Sequence, residues 1–192
     1  MNELGVDCLT LWAASLDNLT KRPAEEIKFL DKIFAERFLS LSKNRAIHQH
    51  QIRVRVLGFW KSFLSKEAQE SIKEAMETTA LYSKGMLNLL IAYSGVEEML
   101  QAVQGIVDEA RRDISFVPTR KKIKEKLLTK DLPPVDLVIR TGGEPHLSAG
   151  FMMWDTADAQ LIFLEKLWPD FTFDDFKQAI ADFNGRVRRF GA

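Results

Sequence analysis

The sequence predicts an α/β fold, a single domain over residues 1–192 with a mostly parallel central sheet flanked by helices. Three observations carry this. Short apolar runs alternate with segments of helical spacing, five times along the chain. Such alternation is the pattern of parallel strands joined by helical crossovers. The run at 86–93, MLNLLIAY, is apolar but for Asn88, as expected of a strand covered on both faces. At 192 residues and 46% hydrophobic composition, the chain is long enough to bury one real core.

Taken in order, residues 8–14, CLTLWAA, read as a buried strand. The polar stretch 15–23 reads as a loop, and Pro23 suits the first turn of a helix beginning near Ala24. Ile27, Leu30, Ile33, Phe34, Phe38 and Leu41 follow helical spacing there, with Glu25 and Glu26 at the positive end of the helix dipole. His48-Gln49-His50 reads as loop. Ile52, Val54 and Val56 alternate with Arg53 and Arg55, which predicts a strand with one wetter face. Residues 66–82 predict a helix capped by Ser65, with Ile72, Ala75, Met76 and Thr79 inward. The strand at 86–93 is followed by a helix over 96–112, with Met99, Val103, Ile106 and Val107 expected inward. Pro118 opens a basic helical stretch, TRKKIKEKLLTK, that reads as a solvated face. Pro133-Pro134 stiffen the entry to a strand at 135–139. A segment of helical spacing, a strand at 161–164 and a helix at 174–186 complete the chain.

Composition narrows the function classes. There are 27 basic and 27 acidic residues, so bulk charge does not predict a nucleic-acid partner. A single cysteine, Cys8, excludes an internal disulfide and reads as a small buried apolar group. Three scattered histidines do not make a zinc site. No stretch reaches the roughly 18 apolar residues of a membrane span, and no signal peptide is visible. The expected location is cytoplasmic, with the membrane surface in reach of a chain that has 13 Phe and 4 Trp.

Two loops that follow strands carry polar groups a core does not need. One offers Ser15, Asp17, Asn18 and Arg22; the other offers Arg140, Glu144, His146 and Ser148. In an open parallel sheet, loops after strands lie on the ligand-binding edge. Arginine forks with hydroxyls and an amide suit a phosphate or diphosphate ester. Gly142-Gly143 would let the backbone come close to an anion and turn N–H groups toward it. The competing expectation is that Arg22 and Arg140 simply pair with Asp17 and Glu144. Asp155 and Asp158, three apart on an expected helix, would share a face and could help hold a hard cation, against a plain solvated face. Three arginines crowd the last seven residues, a frayed tail or a phosphate clamp.

At these residues the sequence resembles the cis-prenyltransferases, the isoprenyl diphosphate synthase family that includes undecaprenyl diphosphate synthase. DLVIRTGGEPHLSAGFMMW followed by LWPDF is similar to the family's IRTGGE-x-R-[IL]-S-N-F-L-L-W and LWPDF. LTLWAASLDNLTKRPAEEI is similar to LTLYAFS-x-EN-W-x-RP-x-EE, LNLLIAYSGVEEM resembles LNIA-x-NYGGR-x-[DE], and the ending RRFG resembles the terminal motif. The resemblance implies condensation of isopentenyl diphosphate with an allylic prenyl diphosphate to give a cis-polyprenyl diphosphate, with Mg2+ assisting the leaving diphosphate. It implies that Arg140 and Ser148 hold the diphosphate of isopentenyl diphosphate. Asn18 would take part in proton removal, with Ser15, Asp17 and Arg22 around it. Arg189 and Gly191 resemble the Arg-x-Gly motif that reaches a partner's active site, which implies a homodimer or a heteromer with a complete subunit. A lipid product would bring peripheral membrane contact. The helix over 25–38 would line an apolar tunnel for the growing chain, or simply pack in the core.

The departures from the family pattern are as informative. The family's first strand, its loop resembling MDGNGRWA and most of the following helix have no counterpart here, and that loop carries the principal magnesium aspartate. His146 stands where the family has a second diphosphate-binding Arg. Gln160 stands where many bacterial members have a magnesium-associated Glu, and Asp158 is the nearest charged substitute. Ala149-Gly150 adds a residue where the family has one Asn, and Lys21 adds one before Arg22. The expectation is an isopentenyl diphosphate half-site without its allylic half. Two alternatives remain: a non-catalytic partner subunit, or a diverged prenyl transferase with another acceptor or condensation geometry.

Overall fold

The computed structural model describes residues 4–186, so Arg189 and Gly191 lie outside the described residues. The described residues fall into two compact units, divided between Leu132 and Pro133. In the first, β1 (Cys8–Ser15), β2 (Ile52–Leu57) and β3 (Gly85–Tyr93) form a parallel sheet in the order β1-β3-β2. Helices α1 (Leu16–Thr20), α2 (Ala24–Ser42), α3 (Arg45–Gln49), α4 (Lys66–Thr78), α5 (Gly95–Arg112) and α6 (Arg120–Lys124) accompany it. In the second unit, β4 (Leu137–Thr141) and β5 (Gln160–Leu164) pair in parallel, followed by α7 (Phe173–Gly185). The expected α/β architecture and parallel pairing hold, with the strands distributed over two sheets.

The first unit is built on a large apolar core. Phe34, Ala35 and Phe38 from α2 and Ala68, Ile72 and Ala75 from α4 bury themselves with Val54, Val56 and Ile91 of the sheet. Each fully buried aliphatic side chain of this kind contributes about 1.5–3 kcal/mol. Arg53 and Arg55 alternate with buried Val54 and Val56 in β2, as their spacing predicts; Arg55 reaches out to Asp131 at 3.0 Å. Past β2, Gly58 takes φ +114, and a Cβ there would sit 2.1 Å from the Ile91 carbonyl oxygen. Only glycine lets the two strand ends approach this closely.

Polar groups inside this unit are largely matched, although the Asn88 Oδ1 is buried with no hydrogen-bond partner among the described residues. Asn88, fully buried in the middle strand, aims its amide nitrogen at Cys8 Sγ (3.2 Å) and Thr10 Oγ1 (3.2 Å) of β1. Burial is the main reason the Cys8 thiol is pushed up from its ordinary pKa. Tyr93 donates to Glu98 Oε2 at 2.6 Å, and the backbone N–H of Thr129 donates to Glu98 Oε1 at 2.9 Å. That bridge ties the end of β3, the start of α5 and the chain after α6 together.

Several local expectations are corrected. The 15–23 loop contains α1, because Ser15 caps it. His48 and Gln49 lie in α3, and His48 bridges Tyr82 Oη (2.9 Å) and the Ser42 carbonyl (2.7 Å), a structural role. The basic helix is short, limited to α6. On α5 the inward side is Gly95, Glu98 and Ala102, while Val103 and Val107 are exposed together with Val96 and Leu100. Residues 151–158 form successive turns rather than a helix. Asp155 is buried and Asp158 exposed, so the two do not share a face.

Candidate active site

The second unit holds the densest polar cluster of the predicted residues. Arg140 is the fourth residue of β4, at the carboxyl end of a parallel pair, where such sheets offer room for a ligand. Its guanidinium donates from Nη1 to Ser148 Oγ at 2.9 Å and from Nη2 to Glu144 Oε2 at 2.7 Å. Ser148 Oγ is in turn 3.2 Å from His146 Nε2, which lies 3.8 Å from Glu144 Oε2. Arg140, Glu144, His146 and Ser148 are therefore one connected group.

The turn that brings them together departs from expectation. Gly142 and Gly143 adopt φ +100 and +71, the left-handed geometry that favours glycine. Their N–H groups do not point into open space. Gly142 donates to the Lys166 carbonyl at 2.9 Å and Gly143 to the Leu164 carbonyl at 3.0 Å. The glycines thus extend the ladder past β5 and hold the turn shut, so their N–H groups are already used within the fold. After Ser148 the chain takes positive φ at Ala149 (45), Gly150 (62) and Met152 (44). Ala149 and Met152 are non-glycine residues in this left-handed geometry, at a strain cost of about 1–3 kcal/mol each.

In the first unit, Ser15 and Asn18 cap each other. Asn18 N–H donates to Ser15 Oγ and Ser15 N–H donates to Asn18 Oδ1, both at 3.0 Å. The serine-x-x-asparagine spacing at the end of the β1 run was the available signal, since it is a capping-box pattern with Asn in place of Glu or Gln. Asp17 pairs with Lys21 at 2.8 Å, and Arg22 with Glu26 at 3.6 Å. The expected Arg22–Asp17 pair does not form, whereas the expected Arg140–Glu144 pair does.

Comparison with known proteins decides the family. The prenyltransferase family model described as undecaprenyl diphosphate synthase matches residues 1–191. The chain belongs to the undecaprenyl diphosphate synthase family. It is 37% identical to the tritrans,polycis-undecaprenyl-diphosphate synthase (geranylgeranyl-diphosphate specific) of Methanocaldococcus jannaschii, over 98% of this chain and 68% of that protein. It is 34% identical to an isoprenyl transferase of Thermus thermophilus, over 98% of this chain and 73% of that protein. Among solved structures it is similar to lavandulyl diphosphate synthase from Lavandula x intermedia, in complex with dimethylallyl diphosphate, with a TM-score of 0.88 and 29% identity. That match covers 99% of this chain and 81% of the other.

In this undecaprenyl diphosphate synthase family member the magnesium candidates are Asp158 and Gln160. Gln160 pairs with Leu137 at the amino end of the β4–β5 ladder, while Arg140 pairs with Phe163 toward its carboxyl end. Three residues of parallel strand separate the two positions, roughly 10 Å at about 3.3 Å per residue. Gln160 Oε1 is buried without a hydrogen-bond partner among the described residues, and Asp158 is exposed. No group of three or more His, Cys, Asp or Glu among the described residues is placed to hold a metal ion. Asp158 and Gln160 therefore do not fit a magnesium site by themselves. Nor is any helix of the described residues long and apolar enough to cross a membrane.

Proposed function

We propose that this chain is an isoprenyl transferase of the cis type, and that the Arg140 cluster seats the diphosphate of isopentenyl diphosphate. The observation that carries the reading is the guanidinium of Arg140, held by Ser148 at the carboxyl end of β4 within a prenyltransferase family member. A planar fork of N–H donors meets phosphate oxygens with charge-assisted hydrogen bonds. The Ser148 hydroxyl can turn to donate to a phosphate oxygen, and His146 Nε2 stands beside it as a weaker replacement for a second arginine.

In the reaction proposed, the double bond of isopentenyl diphosphate attacks the first carbon of an allylic prenyl diphosphate. The bond from that carbon to the diphosphate breaks, and the diphosphate leaves with the electron pair. Loss of a proton from the former isopentenyl carbon then closes the new cis double bond. Asn18 is proposed to assist that proton loss, with Ser15, Asp17 and Arg22 shaping its surroundings. The cap uses one acceptor site of the Asn18 carbonyl oxygen on the Ser15 N–H; the amide nitrogen, which only donates, would hold a diphosphate oxygen that receives the proton rather than take the proton itself. Magnesium belongs to the proposal through the family's chemistry, and no step is assigned to it because Asp158 and Gln160 do not supply a site. Arg189 and Gly191 are proposed to serve a partner copy in a dimer, at a cytoplasmic or membrane-surface location.

The half-site is tested by binding, because the family's aspartate loop has no counterpart among these residues. Calorimetric titration with isopentenyl diphosphate is expected to show saturable binding that weakens at least tenfold in Arg140→Ala, as loss of a charge-assisted hydrogen bond worth about 1.5–3 kcal/mol requires. Unchanged affinity in a folded Arg140→Ala variant would remove the assignment.

A further inference from the structure

Glu144 rests on the same arginine that the substrate needs, which adds to the isopentenyl diphosphate reading and rests on it. Arg140 is the anchored member of the pair, with 21% of its side chain exposed, whereas Glu144 is 63% exposed. One carboxylate oxygen, Oε2, lies 2.7 Å from Arg140 Nη2 and 3.8 Å from His146 Nε2. It faces both of the nitrogen-bearing side chains assigned to the diphosphate. A carboxylate and a phosphate ask the same geometry of a guanidinium.

We propose that Glu144 is a built-in competitor, a carboxylate that occupies the diphosphate seat in the free protein and must swing out before isopentenyl diphosphate can enter. The pairing is incomplete in a way that favours exchange. Glu144 engages Arg140 through Nη2 alone, and Arg140 Nε is buried with no hydrogen-bond partner among the described residues. The buried Nε is beyond the reach of either anion, so what favours exchange is that the carboxylate makes a single-point contact at Nη2, which an entering phosphate oxygen can replace. The turn sets up the contact. Gly142 and Gly143 fold the chain back so that Glu144, four residues on, returns to Arg140, and their N–H groups are locked to the Lys166 and Leu164 carbonyls. The backbone stays fixed while the exposed Glu144 side chain rotates away. The apparent affinity for diphosphate is then the intrinsic affinity reduced by the fraction of molecules in which the seat is empty.

The test titrates the protein, Glu144→Gln, Arg140→Ala and the double variant with isopentenyl diphosphate and, separately, inorganic pyrophosphate at fixed low ionic strength. Glu144→Gln removes the competing charge and keeps the shape. It is expected to tighten both ligands roughly fivefold, which is what an exposed ion pair at the upper end of its usual worth yields when it no longer has to be broken. In the Arg140→Ala background the same change is expected to have no effect on affinity, because the competition is for that arginine. Binding that is unchanged or weaker in Glu144→Gln, with Arg140→Ala still weakening it, overturns the competitor and leaves the seat standing. Binding indifferent to Arg140→Ala overturns both. Circular dichroism and melting of each variant identify any loss of fold.

Discussion

The two units of this chain make opposite uses of their residues. The first gathers its apolar side chains into one deep cluster drawn from α2, α4 and the three-stranded sheet. The second buries few, chiefly Val138, Met152, Ile162 and Ala179, and leaves Leu161, Phe163, Leu167, Trp168 and Phe173 exposed. Yet the second carries the Arg140 cluster, in a stretch with three positive-φ residues among four and a turn clamped by backbone hydrogen bonds. The first unit has the larger buried cluster; the second combines a smaller one with local polar geometry. Arg140 is held both ways: its side chain is only 21% exposed, and its guanidinium is hydrogen-bonded to Ser148 and Glu144.

That contrast can be broken by substitution. The largest effect is expected from Ile72→Ala, which empties a fully buried site in the first unit and should cost about 2–5 kcal/mol in urea denaturation. Val138→Ala in the second unit should cost only about 1–2 kcal/mol, because it deletes two carbons rather than three from a site that is 8% exposed. A loss per deleted carbon at Val138 equal to or above that at Ile72 would show that the second unit is packed as tightly as the first. Next in size is Glu98→Gln. One carboxylate oxygen accepts from Tyr93 and the other from the Thr129 N–H, so the amide turns one acceptor into a mismatched donor. A cost of about 1–3 kcal/mol is expected in the same denaturation assay, with neutral behaviour ruling out the bridge as a support of the first unit.

The smallest effect belongs to the second unit's polar scaffold. Hydrogen bonding from Lys166 first, then from Thr172, holds the Asp175 carboxyl down at about 2 from its ordinary 3.8. A depressed carboxylate pKa contributes stability that is complete above the unfolded value and lost as the pH falls through the folded one. The melting-temperature gap between the protein and Asp175→Asn should therefore be constant from neutrality down to about pH 4 and close toward about pH 2. A gap that persists at pH 2 would place the effect of Asp175 elsewhere than in its charge.

Much of this was legible in the residues. The strands announce themselves as apolar runs, and the alternation in β2 put Val54 and Val56 inward as found. Arg140, His146 and Ser148 could be picked out because the turn between them carries a specific motif. The α5 face was misread for a physical reason. Its buried side is made of Gly95, Glu98 and Ala102, small residues that allow close approach and an acid satisfied by distant partners. Periodicity weights large apolar side chains, so it chose the row that faces out. Asn18 was read as a free amide because a sequence does not say which polar groups a helix end has already claimed. The division of strands into two sheets depends on pairings between distant segments, which apolar runs do not encode.

The order β1-β3-β2 also has a bearing on how the first unit comes into being. Among the described residues, β1 and β2 have no strand to hydrogen-bond with except β3, which starts only at Gly85. On the ribosome, where about 5–20 residues are added each second, both earlier strands spend seconds waiting for the strand that will stand between them. Asn88 then settles β1 when β3 arrives, since a slip of one residue would turn its amide away from Cys8 and Thr10. Among the described residues, the pairing of this sheet is therefore complete only once β3 is in place.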